Sequence, residues 1–153
     1  MGDTVIRRTL SSHYGTIQCS IPAVVLGNVT ITDMSSTPHP LTWDALVDTG
    51  ADRSVVPLSV CQELGLAPFD ERRPSGFDPA AQRTLTPLYH VRILVSGLEP
   101  ADLSVYGIDR DSVLLGRDFL QKLVFAVDGR GQTAQLGENS VLKSALLRLL
   151  AIC

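Results

Sequence analysis

The chain has 153 residues, of which 44% are hydrophobic and 19% charged, and its net charge is −3. That length fits one domain with a full core, and the slight acidity leaves no electrostatic footprint for nucleic acid. Three widely spaced cysteines, Cys19, Cys61 and Cys153, lack metal-ligand spacing and fit a reduced, cytoplasmic compartment.

Residues 1–14 are polar and irregular and read as a flexible arm. No apolar signal region follows the start, and Ile6 stands where a myristoylation signal carries Ser or Thr. From 15 to 32 the pattern is mostly β-branched (Thr16, Ile17, Val24, Val25, Val29, Thr30, Ile31), interrupted at Pro22 and Gly27-Asn28. Two strands joined by a short turn are expected. Asn28-Val29-Thr30 fits a glycosylation sequon but lies inside a strand-like run, so we read it as structural. Residues 33–41 are a Ser, Pro and His loop. Residues 43–47 and 55–56 form the next strand segments. A short helix is expected over 57–64, with Pro57 at its first position and Gly65 just past its end. Leu58, Cys61 and Leu64 share one face of it.

Residues 68–87 are rich in turn formers and long for a plain connection, which suits a hairpin lid with its tip near Gly76-Phe77-Asp78-Pro79. Over 88–95, outward His90 and Arg92 alternate with Tyr89, Val91, Ile93 and Val95, the period of a strand. Short strands follow at 103–106 and at 113–115, the latter buried and ending at Gly116. A short helix at 118–122 precedes strands at 123–127 and 133–136, turned at Asp128-Gly129. In the final segment, 137–153, Asn139 or Ser140 can cap a helix. Val141, Leu142, Ala145, Leu146, Leu149 and Leu150 fall on one face, with Lys143, Ser144 and Arg148 opposite. At about a dozen residues it is too short to span a membrane. It either caps its own subunit or builds an interface.

The rest is organised around Ala45-Leu46-Val47-Asp48-Thr49-Gly50-Ala51-Asp52-Arg53-Ser54-Val55-Val56. An apolar run delivers one carboxylate into a Thr-Gly turn, and a second apolar run leaves it. Downstream, Val113-Leu114-Leu115-Gly116-Arg117-Asp118 forms a plausible second half. Together these stretches resemble the retropepsin-like aspartic proteases, the single-lobe relatives of the retroviral proteases, and bacterial or retrotransposon-type members more than lentiviral ones. The resemblance covers residues 15–136 and is densest at 44–66 and 88–136. It implies a mainly β fold: a closed, barrel-like lobe over 15–136, with one short helix after residue 57. The arm 1–14 precedes it and the C-terminal helix within 137–153 follows. The lid tip carries one glycine, Gly76, where the family has a glycine-rich flap.

Hydrolysing a peptide without a metal or a covalent nucleophile requires one group to activate water and another to protonate the leaving amine. Two carboxyls sharing one proton do both. The sequence holds one Asp-Thr-Gly and no second copy. A two-lobed protease in one chain is therefore excluded, which leaves a two-fold homodimer with an Asp48 from each subunit. By this resemblance Asp48 is the catalytic carboxyl, and Thr49 supplies a hydroxyl that bonds across the dimer. Gly50 permits close backbone approach, and its amide orients the carboxylate. Ala51, Asp52, Gly76 and Phe77 contact substrate, and Asp52 pairs with Arg117 through a planar guanidinium. Leu114, Leu115 and Gly116 cradle the catalytic turn.

The implied activity is an aspartic endopeptidase acting on an extended peptide or protein, with a second copy of the chain as partner. No metal, organic cofactor, nucleic acid or membrane is implied. Two alternatives stand beside it: a catalytically silent peptide-binding module of the same fold, and a processing protease of a larger polyprotein. His13, His39 and His90 are scattered and are given no catalytic role. Trp43 and Cys61 read as core.

Overall fold

The computed structural model describes residues 8–12, 15–20, 23–35, 42–74, 84–128 and 133–138. In chain order the elements are β1 (Arg8–Ser12), β2 (Gly15–Ser20), β3 (Ala23–Thr32), β4 (Thr42–Val47), β5 (Val55–Pro57) and α1 (Leu58–Glu63). They continue with β6 (Asp70–Arg72), β7 (Thr86–Leu94), β8 (Ala101–Ile108), β9 (Val113–Leu115), α2 (Arg117–Leu120), β10 (Leu123–Asp128) and β11 (Thr133–Glu138). Nine strands pair in the order β1-β2-β3-β4-β9-β5-β8-β7-β6, and an extra β3–β7 pairing closes the six from β3 to β7 into a barrel. The closure runs through Thr30↔Leu94, Ile31↔Ile93 and Thr32↔Arg92. β10 and β11 form a separate antiparallel pair. The expected mainly β, closed, barrel-like lobe is the architecture observed.

Alternation puts the core inside the barrel. On β7, Tyr89, Val91 and Ile93 are buried while His90 is exposed, because successive strand side chains face opposite sides. Outside, Arg92 makes two hydrogen bonds to the carboxylate of Asp102, at 2.6 and 2.9 Å, its directly opposite residue on β8. His90 stacks on Phe69 with ring centroids 3.8 Å apart. Leu26, Val29, Ile31, Val56, Val105, Val113 and Leu115 fill the interior, each contributing about 1.5–3 kcal/mol through burial. Trp43 packs against this cluster, as its reading as core requires.

Local expectations are revised in β1 and β3. Arg8–Ser12, assigned to an irregular arm, forms β1 and pairs with β2 from Arg8↔Cys19 to Ser12↔Gly15. Its single apolar residue, Leu10, gives no alternation to detect. The strand is defined by backbone hydrogen bonds, which any side chain permits. Gly27-Asn28, expected as an interruption, is a bulge within β3: Asn28 has φ of 58° and the register with β4 shifts between Leu26 and Val29. A bulge adds a residue without ending the strand and sharpens its bend, which suits a strand that pairs with both β4 and β7. The arms of the expected lid hairpin are present as antiparallel β6 and β7. Gly76, Phe77 and the rest of 75–83 lie outside the described residues, as do the expected helix after Gly137 and most of the arm.

α1 starts one residue later than expected, since Pro57 has an extended ψ of 134° and serves as its N-cap. Gly65, with φ of 64°, ends it as expected; its N–H donates to the Gln62 carbonyl. Cys61 is fully buried on this helix, and burial pushes its thiol up to about 11. The thiolate is the reactive form. In a Cys19→Ser/Cys153→Ser chain, Cys61 should therefore resist thiol reagents at pH 8 and be labelled at the rate of unfolding. Instant labelling of the native protein would contradict this packing. The sign of the pH effect follows from the raised value: the contribution of Cys61 to stability is intact below pH 9 and is lost as pH rises toward 11.

Candidate active site

β4 and β5 are separated by only seven residues, yet they do not pair with each other. β9 lies between them, parallel to β4 through Ala45↔Val113, Leu46↔Leu114 and Val47↔Leu115, and antiparallel to β5 through Val55↔Leu114. Strands covered on both sides read as continuous apolar runs, and Val113, Leu114 and Leu115 are all buried. The loop 48–54 thus wraps over the end of β9, and its position is set by a strand more than sixty residues away in sequence.

Asp48 begins that loop. Its N–H donates to the Leu115 carbonyl at 2.9 Å, so the end of β9 fixes where the carboxylate starts. The Gly50 N–H donates to Asp48 Oδ1 at 2.8 Å, and the Ala51 N–H donates to the Asp48 carbonyl at 3.3 Å. A Cβ on Gly50 would stand 3.2 Å from Asp48 Oδ1, so glycine lets the carboxylate fold back over its own turn. Thr49 and Gly50 are exposed, and Asp48 is partly exposed.

The far side of the loop is tied down by the segment after β9. The Arg117 N–H donates to the Ala51 carbonyl at 2.8 Å, and the Asp118 N–H to the Asp52 carbonyl at 3.3 Å. The expected ion pair between Asp52 and Arg117 is present. Both side chains are more than half exposed, so the pair itself adds about 0–1 kcal/mol and the backbone bonds do most of the holding. Gly116 is buried against the loop, as its expected cradling position requires. Arg53 is pinned separately: its Nη1 donates to the Ser104 carbonyl at 2.6 Å, and its guanidinium lies 5.6 Å from the Tyr106 ring centroid.

The sequence reading missed two residues that knit these parts together. Ser54 is fully buried. Its N–H and Oγ both donate to the Asp118 carboxylate, at 2.9 and 2.7 Å to Oδ1. Ser54 Oγ accepts the Gly116 N–H at 3.0 Å, and its carbonyl accepts the Tyr106 N–H at 3.1 Å. One serine thus joins the loop to β8, to the end of β9 and to α2. The available signal was a lone small polar residue directly before a buried β-branched pair, matched by an acid in the first turn of a helix. Asp118→Ala should cost about 2–3 kcal/mol, because it strands the buried hydroxyl and amide of Ser54. Asp118→Asn keeps one acceptor oxygen and should recover most of that loss. Urea unfolding midpoints of the two variants check this, and equal midpoints for Ala and wild type would contradict it.

These features define a single-lobe β-barrel that presents one Asp-Thr-Gly turn. The chain belongs to the family described as "gag-polyprotein putative aspartyl protease", whose model matches residues 39–122, more than half of its length. No curated protein matches the sequence. Among solved structures it is similar to a retropepsin-like aspartic protease from Rickettsia conorii, at 16% identity over 69% of this chain and 76% of that one, with a TM-score of 0.46. It is also similar to the EIAV protease complexed with the inhibitor HBY-793, at 22% identity over 79% and 91% of the two chains, with a TM-score of 0.41. A third is the retroviral protease-like domain of Ddi1 from Leishmania major, at 15% identity over 74% and 88%, with a TM-score of 0.46.

Proposed function

We propose that the protein is a homodimeric aspartic endopeptidase whose two Asp48 carboxyls meet on the two-fold axis. The observation that carries this reading is the Asp48 turn. It is tied to the end of β9 by a backbone hydrogen bond and oriented by the Gly50 N–H, yet Thr49 and Gly50 remain exposed. A lone carboxyl cannot act as base and acid in the same step, and the chain holds no second Asp-Thr-Gly. A second copy supplies the missing group with the same geometry.

In the proposed reaction one carboxylate takes a proton from water as the water oxygen forms a bond to the scissile carbonyl carbon. The protonated partner carboxyl then supplies the proton that the amide nitrogen gains as the C–N bond breaks, leaving a carboxylic acid and an amine. Thr49 hydroxyls bond across the axis and lock the two turns. Asp52, held by Arg117, faces the substrate main chain beside Ala51, with Gly76 and Phe77 as further substrate-contacting residues. The substrate is an extended peptide bound as an added strand, with side chains entering alternate pockets. Family membership supports the protease assignment.

The dimer is tested by dilution. Specific activity on a quenched peptide library should fall as the chain is diluted into the monomer range, because each monomer holds half a site. Constant specific activity while sedimentation reports monomer would overturn the proposal.

A further inference from the structure

The loop 48–54 holds a cation that the proposed chemistry does not use. Arg53 is partly exposed and follows Asp52 directly. Its Nη1 donates to the Ser104 carbonyl at 2.6 Å, and its guanidinium lies 5.6 Å from the Tyr106 ring centroid. Neither partner is charged. The carbonyl occupies one of the five N–H donors that a guanidinium offers, and a contact over a ring face takes none. Among the described residues no carboxylate pairs with Arg53. The acids on the neighbouring elements are already taken. Asp52 pairs with Arg117, Asp102 with Arg92 and Asp70 with Arg72, and the Asp118 carboxylate accepts from Ser54.

The surroundings place this cation between two parts of the cleft. Ser104 and Tyr106 share one face of β8, two residues apart. Ser104 Oγ lies 3.2 Å from His90 Nδ1 on β7, and His90 stacks on Phe69, the residue before β6. Ser104 therefore holds the catalytic loop through its carbonyl and the root of the β6–β7 hairpin through its hydroxyl. Arg53 is five positions beyond Asp48. The chain between them spans at most about 18 Å, the length of about five residues of an extended peptide.

We propose that Arg53 is a specificity-determining residue that binds an acidic side chain of the substrate, within about five residues of the cleaved bond. Its remaining N–H groups suit a carboxylate, which a planar guanidinium can bind through two hydrogen bonds. The contacts to Ser104 and Tyr106 already restrict the side chain, so little freedom is lost on binding. The Asp52–Arg117 pair removes the adjacent carboxylate as a competitor. This inference rests on the endopeptidase reading and names a feature of its substrates.

A mixed peptide library digested by wild type, Arg53→Gln and Arg53→Glu tests it, with the cleaved bonds read by mass spectrometry. Wild type should favour Asp or Glu at one position near the cleaved bond. Paired peptides with Glu or Gln there should differ by about tenfold or more in kcat/KM, chiefly through KM, and the difference should shrink in high salt. The Glu/Gln ratio should fall to near one in Arg53→Gln, and Arg53→Glu should favour Lys over Gln at that position. Each ratio is taken within one variant, so a general loss of folding or activity cancels. If Arg53 only pins the loop to β8, its variants should slow every peptide alike and keep the wild-type ratio, which would overturn the proposal. Retention of the same library on immobilised Asp48→Asn chain separates this inference from the protease reading. Acidic enrichment that Arg53→Gln removes, without cleavage by wild type, would support the role of Arg53 and overturn the protease reading. Cleavage without acidic preference would overturn the role of Arg53 alone. Absence of acidic preference in both readouts would overturn it as well.

Discussion

Asp48→Asn should abolish peptide cleavage, lowering kcat/KM by at least about 10³-fold, the scale of positioned acid–base catalysis. The substitution is nearly isosteric. The amide side chain keeps an oxygen where Asp48 Oδ1 accepts the Gly50 N–H, and the backbone bond to the Leu115 carbonyl is untouched. Stability should therefore change by less than about 1 kcal/mol, which separates lost chemistry from lost fold. The measurement is cleavage of a mixed peptide library by wild type and variant from acid to neutral pH, read by mass spectrometry. Equal cleavage by both would place the chemistry elsewhere. Silence from a dimeric wild type would favour a peptide-binding module over an enzyme. Mixed dimers sharpen the test: a dimer with one substituted subunit should be as inactive as one with two, because acid and base are the same pair.

Gly116→Ala should be the most damaging single-methyl change in the site. A Cβ built there would lie 2.8 Å from the Arg53 carbonyl carbon, 2.9 Å from the Ala51 oxygen and 3.0 Å from the Arg53 oxygen. All three obstacles are backbone, so no rotamer change relieves them. The loop must move, and its movement breaks the Gly116 N–H bond to Ser54 and the Arg117 N–H bond to Ala51. We expect a loss of about 2–3 kcal/mol from overpacking, and a fall in kcat/KM at temperatures where the variant is still folded. The glycine is required here by the close approach of two chain segments, since its backbone is extended, with φ of −90°. An unchanged urea midpoint would show that the loop is looser than this packing implies.

The parts of the site differ in how readable they were. The Asp48 turn, the β9 run and the strand at 88–95 carry local signals: a carboxylate before Thr-Gly, unbroken apolar residues ending in glycine, and alternation from Tyr89 to Ile93 on β7. Ser54 and Asp118 carried none of comparable strength, because a serine before a strand and an aspartate in a helical first turn each have many ordinary explanations. Their importance comes from meeting one another across sixty-four residues. Likewise β1 was invisible for want of alternation, and Gly27-Asn28 looked like a break because a bulge and a turn use the same residues.

By itself the sequence determined most of the strand segments, where the Asp-Thr-Gly turn falls, and that only one such turn exists in it, because periodicity and turn chemistry are properties of neighbouring residues. The insertion of β9 between β4 and β5 was decided only in the folded chain, as were barrel closure through β3 and β7 and the burial of Ser54 against Asp118. The strand pairings are made by backbone groups that every residue carries, and the Ser54–Asp118 bonds by side chains sixty-four residues apart, so the partners are selected by the packing of the whole barrel and leave little trace in the local order of side chains.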